Sequence, residues 1–290
     1  MPRYDYWLLD KKLDQLKRQS YFTDCLLPDV LTGSVFPAIR QTAIDFYYLG
    51  RKLCTYSNGT FRTNIAYLAA FRDRPKGEIT EEHFSRLLVC PSFCEGYSQI
   101  KNNISLHEQP ESGGVFSLCK RHSCFKRPTP KSIVVLDIEL SLKALEESRK
   151  QDRIDLVLFN VKEKQLRFFE VKTFDNKEIW PSPEGHVKVT AQIARYKNQL
   201  DRNYHELMDS YRQYVRLIRD LCEVTLPEPD SIDKDVDLLV TGFDTQQLNT
   251  LTTTLLPAFG NAFRTHLIGN LDGASQGTLA KWWKNKKPAV

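Results

Sequence analysis

The chain has 290 residues, 41% of them hydrophobic and 27% charged, a balance typical of a soluble globular protein with room for one large domain or two small ones. No stretch nears the ~18 consecutive apolar residues of a membrane helix, which argues against a membrane protein. The net charge of +5 is mildly basic, compatible with a polyanionic partner without identifying one.

The start, MPRYDYWLLDKKLDQLKRQ, has neither the apolar run nor the small-residue cleavage site of a signal peptide. Seven cysteines are an odd number, so a reduced, cytoplasmic protein is expected rather than a disulfide scaffold. Within Tyr4–Arg18, Trp7, Leu8, Leu13 and Leu16 recur at helical spacing and predict a short amphipathic helix. Helices are also expected over the aromatic-rich Ala38–Leu53, over Thr63–Phe71, and over Glu81–Val89, where Thr80 opens the segment in the manner of an N-cap. From Pro91 to Pro130, Gly, Pro, Ser, Asn and basic residues dominate, and an irregular segment is expected.

Ile133–Leu142 alternates with period two and predicts a strand. Ile154–Phe159 and Leu166–Thr173, joined by a polar connection, predict a β-hairpin. Val187–Leu221 reads as one long charged helix, ended by the Pro-rich stretch LPEPD. A strand over Asp237–Phe243, a helix over Gln246–Leu256 and a last strand over Thr265–Ile268 follow. The predicted fold class is α/β, with a largely helical N-terminal region and a Cys/basic loop over residues 1–130. A mixed sheet flanked by helices, with a basic tail, is expected over residues 131–290.

Three groups inside these elements are chemically unusual. Asp155 interrupts the apolar IDLVLF. Glu170 and Lys172 flank Val171, and residues i and i+2 of a strand share a face. An isolated E-x-K is most often an ion pair on a solvated edge, and a lone Asp most often a structural cap. Here the hairpin can bring Asp155 beside Glu170, where two carboxylates repel and raise a pKa; a hard divalent cation removes that conflict. Further on, the run from Gln192 to Tyr196 reads Q-x-x-x-Y, which puts both residues on one helix face.

Asp155, then Glu170-Val171-Lys172, then Gln192 and Tyr196, in that order on hairpin and helix, resembles the PD-(D/E)XK nuclease superfamily in its RecB-like branch. The resemblance covers roughly Ile133–Ile268, with Ile154 standing where the superfamily's name has proline. It implies a restriction-endonuclease-like core of a helix, a mixed four-stranded sheet and a second helix. It also implies that Asp155, Glu170 and the carbonyl of Val171 hold Mg²⁺ or Mn²⁺. Lys172 would orient or help deprotonate the attacking water and stabilise developing charge, while Gln192 and Tyr196 position the metal shell or a backbone phosphate. A further acidic or His residue is expected from the first core helix, with Asp45, Glu82, His83 and Glu139 as candidates.

Cys90, Cys94, Cys119 and Cys124 form two pairs that can supply four thiolates to Zn²⁺ or an iron–sulfur cluster. Neither spacing is C-x2-C and all four precede Asp155, so thiols without a metal are the preferred reading. Lys120, Arg121, Lys126 and Arg127 form a basic run that suits a phosphate backbone or a solvated loop. Trp282 and Trp283, next to four lysines, suit base stacking or docking onto a partner. DNA is the expected substrate, with RNA open. The chain has no G-x-x-x-x-G-K-[ST] phosphate loop, so a helicase or ATPase partner would supply any ATP-driven step, in a defence or repair complex. A catalytically idle nucleic-acid-binding or scaffold subunit on the same fold is the alternative.

Overall fold

A computed structural model describes residues 7–68, 77–80, 92–105, 110–128, 132–142 and 152–285. The chain divides into two compact units, Met1–Pro130 with Arg212–Leu226, and Lys131–Tyr211 with Pro227–Val290.

The first unit opens with α1 (Trp7–Lys17), a π-helical turn (Tyr21–Leu26) and α2 (Leu27–Thr32). An antiparallel meander follows: β1 (Phe36–Ile39), β2 (Ala43–Tyr48), β3 (Arg51–Ser57), β4 (Thr60–Asn64) and β5 (Glu78–Thr80). The helix expected over Ala38–Leu53 is therefore three strands. Burial there runs with period two, Ile44 and Phe46 pointing inward and Asp45 and Tyr47 less buried. Leu49 and Gly50 both take positive φ (50° and 75°), the two-residue turn that matches strand twist. Asn58 and Gly59 repeat it between β3 and β4, with φ of 51° and 82°.

The stretch from Thr63 holds the end of β4 and a single 3₁₀ turn (Ile65–Leu68); residues 69–71 and the helix expected over Glu81–Val89 lie outside the described residues. The segment expected to be irregular contains α3 (Phe93–Ser105) and α4 (Pro110–His122). Phe93, Gly96, Ile100 and Ile104 bury one face of α3 at helical spacing, and Pro110 opens α4, where a missing N–H costs nothing.

The second unit holds a mixed sheet in the order β10-β9-β8-β7-β6. β6 (Ile133–Ser141), β7 (Arg153–Asn160) and β8 (Gln165–Thr173) form an antiparallel meander. β9 (Ser231–Thr241) and β10 (Thr265–Ile268) add on in parallel. β8 is buried along nearly its whole length, which is why its apolar run is almost continuous. The long predicted helix is two, α5 (Lys188–Arg202) and α6 (Tyr204–Cys222). At the break, the Asn203 side chain donates to the Gln199 carbonyl at 2.8 Å, competing with the backbone for helical bonding. α7 (Thr245–Thr250), a π-helical turn and α8 (Leu256–Phe259) precede β10, and α9 (Gln276–Lys284) closes the described chain.

Trp282 and Trp283 in α9 are not available for stacking on bases. Both are buried. Trp282 packs on Phe169 and His266, with ring centroids 6.1 and 5.7 Å away. The Trp283 ring carries the Arg167 guanidinium 4.6 Å from its centroid, and its Nε1 donates to Glu163 at 2.8 Å. Arg167 in turn donates to the Trp282 carbonyl at 3.1 Å and pairs with Asp233 at 3.1 Å. Asp237, wholly buried, accepts from Arg264 at 2.7 Å and lies 2.8 Å from His266 Nε2. A buried carboxylate is tolerable only with such partners, so this sheet face is a closed structural network.

Candidate active site

The site lies on the opposite face of the same sheet, beside α5. Alternation along β8 sends Arg167 and Phe169 toward α9 and Phe168, Glu170 and Lys172 the other way. The β7–β8 ladder runs from Asn160↔Gln165 to Leu156↔Phe169. One step further the register sets Asp155 opposite Glu170. There the side chain replaces the ladder: Asp155 Oδ2 accepts the Val171 N–H at 2.8 Å.

Glu170 is 2% exposed. Its Oε1 accepts from Lys172 Nζ at 2.8 Å and from Gln192 Nε2 at 2.9 Å, whereas its Oε2 is buried with no hydrogen-bond partner. Gln192 also donates to Tyr196 Oη at 2.6 Å, and Tyr196 Oη donates to the Arg153 carbonyl at 2.7 Å. The expected five side chains thus meet: Asp155, Glu170, Lys172, Gln192 and Tyr196 form one connected group. Val189, Ile193, Tyr196 and Leu200 bury one stripe of α5, which fixes the helix so that Gln192 reaches Glu170.

The electrostatics are those of carboxylates short of positive charge. Burial pushes Glu170 up to about 8, and the neighbouring Asp155 charge raises it further against the opposing pull of Lys172. Burial likewise pushes Asp155 up to about 6, with the Val171 N–H and Lys172 acting against it and Glu139 adding to it. Burial alone would lower Lys172, but Glu170 and Glu178 outweigh it and hold the ammonium above the ordinary lysine range. Lys172 therefore stays charged. Burial raises the Tyr196 phenol, leaving it a neutral hydroxyl.

These shifts predict a pH dependence. A carboxyl raised in the fold binds more protons in the native state than in the unfolded chain, so stability falls as pH rises. For Glu170 the favourable contribution is complete below 4.5 and lost as pH rises through about 8; Asp155 acts in the same direction between 3.8 and about 6. The melting temperature of the wild type should therefore fall relative to that of Glu170→Gln across this window. Mg²⁺ at the alkaline end should recover the wild type and leave the variant unchanged. Parallel pH profiles for the two proteins would contradict the electrostatic account.

A third carboxylate stands close. Ile138 pairs with Leu156 and Leu140 with Ile154, so Glu139 sits across the ladder from Asp155. Its φ of 54° is unusual in a strand, and it pairs with Arg153 at 2.5 Å. Of the two candidates among the described residues, Glu139 is the one beside Asp155, and it comes from strand β6 and not from the expected helix. Asp45 lies in the first unit, bonded to Thr55 at 2.5 Å and paired with Arg40 and Lys52, and Glu82 and His83 lie outside the described residues. A residue that sequence periodicity gives no reason to notice is Glu178, in the connection from β8 to α5, 2.7 Å from Lys172 Nζ. Arg195, whose place between Gln192 and Tyr196 suggests an outward direction, reaches Asp152 at 3.4 Å.

Hard oxygen donors are the right chemistry for Mg²⁺ or Mn²⁺. Glu170 Oε2, which has no donor, and the neighbouring Asp155 charge that raises Glu170 fit a divalent cation, with the Val171 carbonyl as the remaining donor the sequence suggests. Among the described residues no group of three or more His, Cys, Asp or Glu is arranged to hold a metal ion, so any such ion would also rely on carbonyl and water ligands. Of the four cysteines considered as metal ligands, Cys119 and Cys124 are buried and Cys94 is partly exposed, while Cys90 lies outside the described residues.

The basic run is largely engaged with its own unit. Lys120 and Arg121 end α4, where cations complement the helix dipole. Lys126 donates to the Lys120 carbonyl at 3.1 Å, and Arg127 donates to the Cys222 carbonyl and to Glu223. No helix among the described residues is long and apolar enough to cross a membrane. Comparison with protein-family models, with characterised proteins and with solved structures gives no match to this chain.

Proposed function

We propose that this chain is a metal-dependent nuclease of the PD-(D/E)XK type, in the RecB-like manner, hydrolysing phosphodiester bonds of DNA. One observation carries the reading: Glu170 Oε1 is shared by Lys172 and Gln192 while Oε2 lies buried without a donor, and the Asp155 carboxyl stands within side-chain reach of the same group. A purely structural Glu–Lys pair has no need of a second carboxylate in register, nor of a bare oxygen. The strand order also supports it, since an antiparallel β6-β7-β8 meander with β9 added in parallel suits a restriction-endonuclease-like core.

Asp155, Glu170 and the Val171 carbonyl would hold the cation. When bound, Mg²⁺ or Mn²⁺ supplies polarisation of the scissile phosphate and a bound water of lowered pKa. Lys172, held as an ammonium, does not accept a proton; it orients the attacking water and stabilises the negative charge that builds on the phosphate oxygens. Gln192 fixes the Glu170 carboxylate, and Tyr196 ties Gln192 to the start of β7. Sheet and helix bury Glu170 and Lys172 away from bulk water, which strengthens the interaction between their charges.

Supercoiled plasmid, linear DNA and RNA, each incubated with Mg²⁺ or with EDTA, test this. Cleavage of DNA with Mg²⁺ and none with EDTA is expected. Salt-sensitive DNA binding without cleavage would leave an idle binding subunit as the reading. A helicase or ATPase partner is part of the proposal, to be sought by co-purification.

A further inference from the structure

The geometry points to Glu178 as a positioning residue for Lys172: it holds the ammonium against Glu170 so that one N–H remains for the phosphate or the attacking water. This rests on the nuclease reading and deepens it. Lys172 Nζ lies 2.8 Å from Glu170 Oε1 and 2.7 Å from Glu178 Oε2. An ammonium has three donors, so two carboxylates leave one. A lysine held by a single carboxylate would be free to swing about it on its flexible stem. A second acceptor from another element removes that freedom.

Half-exposed ion pairs on loose loops contribute little, and the Glu178 side chain is 47% exposed. This connection is not loose. Asn176 Oδ1 accepts the Glu178 N–H at 2.9 Å, and the Glu178 carbonyl accepts the Val189 N–H in the first turn of α5 at 3.0 Å. Trp180 Nε1 donates to the Phe174 carbonyl at 2.8 Å, with the two rings edge-to-face at 5.1 Å. Asn176 in turn donates its N–H to the Thr173 carbonyl at 3.0 Å, so the backbone of Glu178 is tied through Asn176 to the end of β8 and directly to the start of α5, the elements that carry Glu170 and Gln192. A residue that merely blocked the lysine would slow the enzyme, and removing it would speed cleavage; a positioning residue has the opposite sign.

The test is single-turnover cleavage of linear DNA with Mg²⁺, together with DNA affinity, for wild type, Glu178→Gln, Glu178→Asp, Lys172→Met and the Glu178→Gln/Lys172→Met double variant. Glu178→Gln is expected to slow cleavage about tenfold or more with DNA affinity and melting temperature nearly unchanged. Glu178→Asp should recover part of the rate. In the Lys172→Met background Glu178→Gln should cost nothing further, because both act through the same ammonium. A Glu178→Gln rate equal to or above wild type overturns the inference, as does an equal loss in both backgrounds. If Lys172→Met is inactive and Glu178→Gln normal, this inference alone fails. If wild type does not cleave, or Lys172→Met cleaves normally, the nuclease reading fails and carries this inference with it.

Discussion

Lys172→Ala is expected to slow single-turnover cleavage by roughly two or more orders of magnitude, as loss of a preorganised charge at the reacting phosphate does. DNA affinity should change far less. Lys172 is 8% exposed, lies on a central strand and has two carboxylates already bound to it. Its charge is therefore local to the site and adds little to the long-range attraction of a polyanion. Removing the ammonium also removes the main opposition to the raised pKa of Glu170. Burial and Asp155 raise that carboxyl to about 8 even with the ammonium present, so it is largely protonated at neutral pH and the fold should survive the loss of Lys172. A loss of affinity large enough to account for the lost rate would make Lys172 an ordinary phosphate contact.

Asp155→Asn is expected to abolish Mg²⁺-dependent cleavage, and with it any stabilisation of the protein by Mg²⁺. The substitution is chosen because Asn keeps a carbonyl oxygen able to accept the Val171 N–H that Asp155 now takes at 2.8 Å. The end of the β7–β8 ladder should remain closed. One of two mutually repelling carboxylates is gone, so the metal-free variant should be at least as stable as wild type near neutral pH. Thermal melts with and without Mg²⁺, beside the cleavage assay, check both halves. A variant that cuts DNA at the wild-type rate, or that Mg²⁺ stabilises as much as wild type, would remove Asp155 from the metal site.

Much of the second unit was legible in the sequence because its strands obey simple rules. Ile133–Ser141 alternates, and IDLVLF and LRFFEVKT are apolar runs whose polar interruptions are the site itself. The candidate site was legible for the same reason: Asp155, Glu170 and Lys172 are out of place in a buried sheet unless they act together. β9 begins at Ser231, earlier than its apolar half suggests, because Asp233 and Asp235 in its polar half engage Arg167, Arg264 and Lys197. Such partners, far apart along the chain, leave no local pattern. The same holds for Trp283 and Glu163, which are 120 residues apart, so the tryptophans looked exposed.

The first unit departs from the sequence expectation for a different reason. Aromatic-rich β2 and β3 mimic a helix when their spacing is read loosely, yet Leu49-Gly50 and Asn58-Gly59 are turn signals that demand strands on either side. In α3 and α4, Gly96, Pro110 and Gly113 disguised helices whose stability comes from buried faces rather than from propensity. Glu178 had no signal at all: it lies in a connection, where neither a period of two nor one of 3.6 applies.

The most direct measurement is the cleavage rate of wild type and Glu170→Gln, side by side, as Mg²⁺ is titrated from zero in the presence of one DNA substrate. Glu170→Gln retains a side chain of the same shape, with an amide where the carboxylate takes Lys172 and Gln192. Saturable, Mg²⁺-dependent cleavage by wild type and none by the variant at any Mg²⁺ concentration is the predicted result. Equal rates for the two proteins, or cleavage by wild type that persists in EDTA, would contradict the assignment of Glu170 and its neighbours as a metal-dependent nuclease site.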